Sequence, residues 1–381
     1  MMPTSLLYTN TVSGHHLEYL HHLYDACLRM TDRQFVFVVP EQFVTVRHQF
    51  EWAEAQHITF DYLTVAEAAA CTQGGMLACS WRICRVVKRR IKKHKADRVF
   101  AITLMAHLPF APFVYGRKVK LSGIIYKIYL YEWKAASWLR RAMNVLKYGL
   151  MRTFGCFDRI FILNDRAAAR RLNRIYRTTK FHYLPDPYVG LPQAAERNQI
   201  RRELGLAEDQ RLLFHFGALA ERKGTMRIVE SLAHLDEEQC RRYVFLFAGR
   251  VQADIRESFY AGVEAQKGRV RVIVEDDFCS YERLASLCAA SDLLLMPYLE
   301  TAQSSGVIGY ASQFGTPVLA SDRGLIGKLV RRYGLGYRTS VDPEALAAAY
   351  RQHTHDAKVC SSEYVTVHRV SVFQSELKEI L

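Results

Sequence analysis

The carboxy-terminal half alternates short apolar runs with amphipathic stretches, and no other feature constrains the fold as tightly. Leu212–Phe216 precedes Thr225–Leu235, Tyr243–Ala248 precedes Gln252–Ala265, and Val270–Val274 precedes Ser280–Ala290. Asp292–Met296 then precedes Ser304–Phe314, Pro317–Ala320 precedes Leu325–Tyr333, and a closing helix starts at Pro343. Strands separated by helical stretches of about 10–15 residues pair in parallel through right-handed crossovers. This half is therefore expected to be one doubly wound, Rossmann-like α/β domain.

The amino-terminal half carries a weaker version of the signal. Leu6–Tyr8, Phe35–Val39, Ile58–Tyr62, Ala101–Leu104 and Arg159–Leu163 read as buried strands, with helical pieces such as His16–Met30 and Arg166–Ile175 between them. The segment LPDPYVGLPQ holds three prolines and a glycine. Proline fixes φ and disfavours helix in the residue before it, so an extended connector is expected there. The expected organisation is a domain over 1–184, a linker over 185–193, a domain over 194–361, and a segment over 362–381. In open α/β sheets ligands bind beyond the carboxyl ends of the strands, so two such domains are expected to face a cleft that holds the function.

A chain of 381 residues that is 50% hydrophobic can bury two cores, which excludes disorder and small disulfide scaffolds. Nine cysteines form no C-x-x-C pair and no Cys/His cluster at zinc-ligand spacing, as expected for a reduced compartment. Met1–Asn10 lack the basic start and long apolar run of a secretory signal, and no apolar run is long enough for a spanning helix, so any membrane contact is expected to be peripheral. The charge is informative: 52 Lys plus Arg against 38 Asp plus Glu, a net of +14. Two segments carry the surplus, Arg82–Arg98 with nine basic residues against Asp97, and Arg117–Arg152 with nine against Glu132. The second also contains Tyr126, Tyr129, Tyr131, Trp133, Trp138 and Tyr148, with Ile124, Ile125, Ile128, Leu139, Met143, Leu146 and Leu150. Rings that sit among acyl chains beside cations that meet anionic headgroups suit a membrane surface. A solvated basic face over an ordinary core, or phosphate and stacking contacts to nucleic acid, would use the same residues.

Three motifs carry candidate chemistry. TNTVSGHHLEYL places Gly14 between a strand and a helix, where backbone can approach an anionic ligand, although the G-x-G-x-x-G fingerprint is absent. FHFGALAERKG runs a strand into Gly217 and then presents Arg222 and Lys223 at the mouth of a helix, an arrangement suited to a diphosphate. DLLLMPYLETAQSSGVIGYASQFGTPVLASD closes a strand at Pro297. It continues through Glu300, Gln303, Ser304 and Ser305 to Gly306 and Val307, which open a helix suited to phosphate or sugar hydroxyls. Asp165 and Asp186, before a helix and a proline, read as a cap and a turn former.

From Leu184 to about Tyr350 the order of these motifs resembles the glycosyltransferases of the two-Rossmann-domain GT-B fold, in particular the large retaining family 4, also called group 1. The shared elements are the P-D-P connector, FGALAERKG, the LFAG strand end, LxxxCAASDLLLMP, SSGVI and FGTPVLASD. In the amino-terminal half the likeness rests on the Gly14 loop, on His107 in ITLMAH, and on DRIFILND. The resemblance implies that Lys223 contacts a donor diphosphate, that the Ser304–Val307 turn holds its phosphate, that His107 lines the reaction site, and that the last helix crosses back to the first domain. Two departures stand out. Ala218 occupies the place of an arginine that Arg222 would have to replace, and the family's paired glutamates fall at Gln303 and Ala311, leaving Glu300 as the nearby carboxylate.

The expected function is transfer of a sugar from a nucleotide-diphosphate-sugar to a lipid-linked or polysaccharide acceptor. The expected enzyme is a metal-independent hexosyltransferase, with retention implied by the family. His107, Lys223 and Glu300 are the expected catalytic residues. Gly14, Gly217, Arg222, Lys223, Gln303, Ser304, Ser305, Gly306 and Val307 are expected to bind the donor. No cofactor beyond that substrate and no nucleic acid are expected. The expected location is cytoplasmic, peripheral on the inner face of an anionic membrane. The alternatives are a catalytically degenerate GT-B binding or scaffold protein and a sugar-nucleotide epimerase.

Overall fold

A computed structural model describes residues 2–12, 15–116, 118–353 and 361–381, the side chain of His15 aside. Gly14 and Arg117 lie outside the described residues. The chain divides into two compact units, Met1–Pro187 with Val370–Leu381, and Tyr188–Arg369.

The first unit is built on a seven-stranded sheet: β1 (Thr4–Tyr8), β2 (Gln34–Pro40), β3 (Ile58–Leu63), β4 (Arg98–Ala101), β5 (Lys120–Ile125), β6 (Phe157–Leu163) and β7 (Phe181–Leu184). The order is β3-β2-β1-β4-β5-β6-β7, with every neighbouring pair parallel. Strands covered on both faces read as continuous apolar runs, and Phe35 through Val39 are buried accordingly. The expected strand at Ala101–Leu104 lies three residues earlier; Leu104–His107 is a 3-10 turn.

Strand β5 changes the reading of the basic, aromatic segment. Ile124 and Ile125 are wholly buried in the central sheet, and Ile128, Tyr129 and Tyr148 are buried too. They serve the core, and what remains outward is Trp133 and one face of the helix Trp138–Thr153. The first basic segment is also less free than its sequence suggests. On the helix Met76–His94, Arg90 and Arg89 pair with Glu67, while Lys93 and His94 pair with the buried Asp61.

The returning helix Val370–Leu377 belongs to the first unit, with Phe373 and Leu377 wholly buried in its core and the Gln374 amide donating to His22 O at 3.2 Å. The Asp165 carboxylate caps the helix Arg166–Tyr176, accepting from the Ala168 N–H at 2.9 Å. Asp186 accepts from the Tyr19 hydroxyl.

The second unit holds a six-stranded sheet: β8 (Arg211–Phe216), β9 (Tyr243–Ala248), β10 (Arg271–Glu275), β11 (Leu293–Met296), β12 (Val318–Ser321) and β13 (Gly336–Thr339). Its order is β10-β9-β8-β11-β12-β13, again all parallel. The connector is anchored to this unit: Tyr188 N–H donates to His368 O at 2.7 Å and Leu191 N–H to Gln313 Oε1 at 2.9 Å. The α/β architecture of two Rossmann-like sheets is the one expected from the alternation of apolar runs.

Candidate functional site

In the second sheet the strand order reverses between β8 and β11, where Leu213 and Phe214 register with Leu293 and Leu294. A doubly wound sheet opens a crevice beyond the carboxyl ends of its strands at such a switch. Two of the sequence motifs end there, one on each strand.

Strand β8 runs into Gly217, whose φ of 89° is one that side chains rarely adopt. A Cβ on Gly217 would stand 2.6 Å from Lys223 Nζ, so the missing side chain is what lets the lysine fold back over the strand end. The Lys223 ammonium donates to Phe216 O at 3.3 Å and lies 5.7 Å from the Tyr298 ring centroid. The Tyr298 hydroxyl is 3.3 Å from Ser305 Oγ. The loop after β11 is fastened to the loop after β8, because Arg222 O accepts from Leu299 N–H at 3.0 Å and Glu300 N–H at 3.2 Å. At Gly224, φ 70°, a Cβ would fall 2.0 Å from Pro297 O, so only glycine permits this approach.

His215 on β8 holds these loops from beneath. A carbonyl can only accept, so the Nδ1–H donates to Leu295 O at 2.9 Å, leaving Nε2 to accept from the Thr225 hydroxyl at 2.9 Å. Thr225 Oγ1 in turn accepts from Ala220 N–H at 3.0 Å. Burial pushes the His215 pKa down to about 3, which keeps Nε2 an acceptor. The histidine inside the apolar run F-H-F was the available sequence signal for this residue, and it passed unread.

The helix Val307–Phe314 starts without a side-chain cap, and its internal bonds begin with Ile308 N–H to Ser305 O. The N–H groups of Ser305, Gly306 and Val307 precede that first bond, where a helix offers donors and a partial positive charge. Gly217, Arg222, Lys223, Glu300, Ser305 and the start of this helix are thus brought to one edge. Arg222 and Glu300 are exposed there, while Gln303 and Ser304 are half-buried. Ala311 is wholly buried and presents nothing to a ligand. Its neighbour Tyr310 was not anticipated: the ring lies 6.1 Å from that of Phe216 and 5.9 Å from that of Tyr188.

His107 belongs to the first unit, in the turn after β4, beside that sheet's own switch between β1 and β4. It is 1% exposed, Nδ1 is 2.5 Å from the Tyr115 hydroxyl, and its ring meets Tyr8 edge-on at 5.2 Å. The Cys84 thiol donates to its backbone carbonyl at 3.2 Å. Burial pulls its pKa down to about 3. A proton-transfer group needs a pKa near the working pH and reach to the substrate. The surroundings of His107 are those of a buried core residue held by the Tyr115 hydroxyl.

Residues 196–362 match the family described as glycosyl transferases group 1. That match lies wholly within the carboxy-terminal half, and this part of the chain is similar to that family. The lipopolysaccharide glucosyltransferase WaaG of Escherichia coli (strain K12) is 29% identical over 246 residues, 62% of this chain and 61% of WaaG. The chain thus aligns with about three-fifths of that relative's length. Two solved structures are similar throughout. Anabaena HepE in complex with UDP-glucose has a TM-score of 0.67 at 17% identity, covering 100% of this chain and 99% of HepE. WaaG, a glycosyltransferase involved in lipopolysaccharide biosynthesis, has a TM-score of 0.63 at 17% identity, covering 99% and 95%. The group 1 match spans the switch-point loops and every strand of the second sheet.

Proposed function

We propose that this chain transfers a sugar from a nucleotide-diphosphate-sugar, bound at the β8/β11 switch of the second unit, to a membrane-anchored saccharide acceptor. One observation carries the donor reading: the Lys223 ammonium folded over Gly217, beside the Tyr298–Ser305 loop that opens the helix Val307–Phe314. Negative charge grows on the departing diphosphate during transfer, and fixed cations with oriented N–H groups stabilise it most where charge develops. Lys223, Arg222 and the helix start supply that field without a metal ion. Glu300 is the carboxylate of the site, and Gln303 hydrogen-bonds sugar hydroxyls. Retention follows from the group 1 resemblance and is part of the proposal.

The decisive experiment follows thermal stabilisation by nucleoside diphosphates and their sugar conjugates, beginning with uridine because HepE is solved with UDP-glucose. Stabilisation by one base class, weakened about 10- to 100-fold in affinity by Lys223→Ala, is the expected outcome. No shift with any nucleotide would sink the donor assignment. The buried Ala311 favours one second reading, a binding protein that holds the nucleotide-sugar without transfer. Stabilisation without turnover, unchanged in Glu300→Gln, would select it.

The acceptor side rests on the helix Trp138–Thr153. Trp138, Leu139, Ala142, Val145 and Leu146 are all exposed, Trp138 at 77%, and their spacing puts them on one face. The opposite face buries Lys147, Tyr148 and Met151, so this helix turns apolar residues outward after satisfying the core. Lys147 Nζ reaches Met76 Sδ at 3.4 Å, and Met76, Leu77 and Trp81 of the neighbouring helix are exposed as well. Arg140, Arg85 and Lys92, also exposed, supply cations for an anionic leaflet. No helix among the described residues is long and apolar enough to cross a membrane. The proposed attachment is peripheral, on the cytoplasmic leaflet, with no role for nucleic acid.

A further inference from the structure

We propose that His21, His22 and Asp25 form a binding site for a divalent transition-metal ion of the zinc class, in the first unit and separate from the donor loops. The three residues offer ligand atoms that all lie within 4.8 Å of one another. Their spacing, His-His-x-x-Asp, is not a familiar zinc spacing in sequence. The helix His15–Leu28 creates the cluster, because Asp25 follows His22 by three and His21 by four residues and so neighbours both.

The geometry around His21 suits a metal ligand. Its Nε2 stands 2.9 Å from Glu51 O. A carbonyl only accepts, so Nε2 carries a proton, and Nδ1 stands 3.6 Å from Asp25 Oδ2. That separation is too long for a hydrogen bond. Two ligands of one tetrahedral zinc, each about 2.0–2.1 Å from the ion, stand about 3.4 Å apart. A metal-ligating histidine characteristically donates its other N–H to a carbonyl or carboxylate, which fixes the tautomer, and Glu51 O does this for His21. The ring is held by stacking on Phe50 at 4.7 Å and by an edge contact with Trp52 at 5.2 Å.

His22 completes the set. It is buried, and no hydrogen bond to its ring nitrogens is found among the described residues. Two imidazoles and one carboxylate, with water in the fourth position, suit zinc and its cobalt and nickel analogues over calcium or magnesium. An ion there would join the helix His15–Leu28 to the Phe50–Trp52 segment.

The test is titration of the full-length, tag-free chain with cobalt(II) at pH 8. One equivalent is expected to give visible d–d bands without the near-ultraviolet thiolate charge transfer that cysteine ligation would add. Zinc at 100-fold its dissociation constant should raise the melting temperature by at least about 3 °C. Asp25→Asn and His21→Gln, which keeps a donor for Glu51 O, should each abolish the bands. The metal-free Asp25→Asn protein should melt no lower than wild type, because its amide can donate to His21 Nδ1. No band in the wild type, or bands that survive both substitutions, overturns the site. In the first case a lower melting temperature for Asp25→Asn would identify a protonated His21–Asp25 pair instead. Either result leaves the nucleotide reading untouched, since no donor-loop residue takes part.

Discussion

Gly217 and Lys223 act as one device. The lysine occupies the space a side chain at 217 would fill, so Gly217→Ala adds a methyl group 2.6 Å from the ammonium in a backbone conformation that alanine resists. Nucleotide affinity should fall about as far as in Lys223→Ala, with an added stability loss of about 1–2 kcal/mol. Calorimetric titration and urea unfolding of both variants check this. His107 allows a test by pH. Its folded pKa is depressed to about 3 from 6.5, so the unfolded chain binds the proton first and stability falls as pH drops below about 6.5. Between pH 7 and 5 this one histidine should cost about 2 kcal/mol. His107→Gln should lower stability at pH 7 yet lose about that much less on acidification, read by urea unfolding at both values. An unchanged pH response would refute the buried, neutral assignment. The motif residues Arg222, Lys223 and Ser305 were legible because charge and small polar residues at strand ends are local signals. The character of His107 was not, since burial by Tyr8 and Tyr115 is decided by tertiary packing.

At the level of elements, the strong alternation of the second unit located β8 to β12 to within a residue or two. The strands β5, β7 and β13 escaped the reading. β5, Lys-Leu-Ser-Gly-Ile-Ile, is short, begins with a lysine and contains Gly123, where a Cβ would stand 2.3 Å from Ala101 O. Its glycine serves a close approach of neighbouring strands, and the same residue weakens the strand signal. The helix Trp138–Thr153 shows the opposite problem: its periodicity is clear, but sequence alone does not say which face meets the core. Replacing Trp138 and Leu146 together with serine should leave the melting temperature within about 2 °C of wild type, since exposed positions carry little stability. Co-sedimentation with vesicles rich in anionic lipid should drop at least about 10-fold. Equal vesicle binding by the double variant would remove this helix from the membrane reading.

At the level of the whole molecule, the first unit is discontinuous in sequence, closed by Val370–Leu381 after the entire second unit has intervened. Phe373 is wholly buried there, edge-on to Tyr19 at 5.6 Å. Phe373→Ala should cost the first unit about 3–5 kcal/mol, and a urea titration should show its transition moving to lower denaturant while that of the second unit stays in place. A single transition that shifts as a whole would mean that the units unfold together.

The returning helix also sets a timetable. During vectorial synthesis the amino-terminal sheet emerges first, yet part of its core is filled by the helix Val370–Leu377, translated long after β1 (Thr4–Tyr8). The domain that starts first therefore finishes last, and its greasy flank stands open while the ribosome completes the other domain. Holdase chaperones, or early capture of the outward-facing helix by lipid, would find their substrate in that interval.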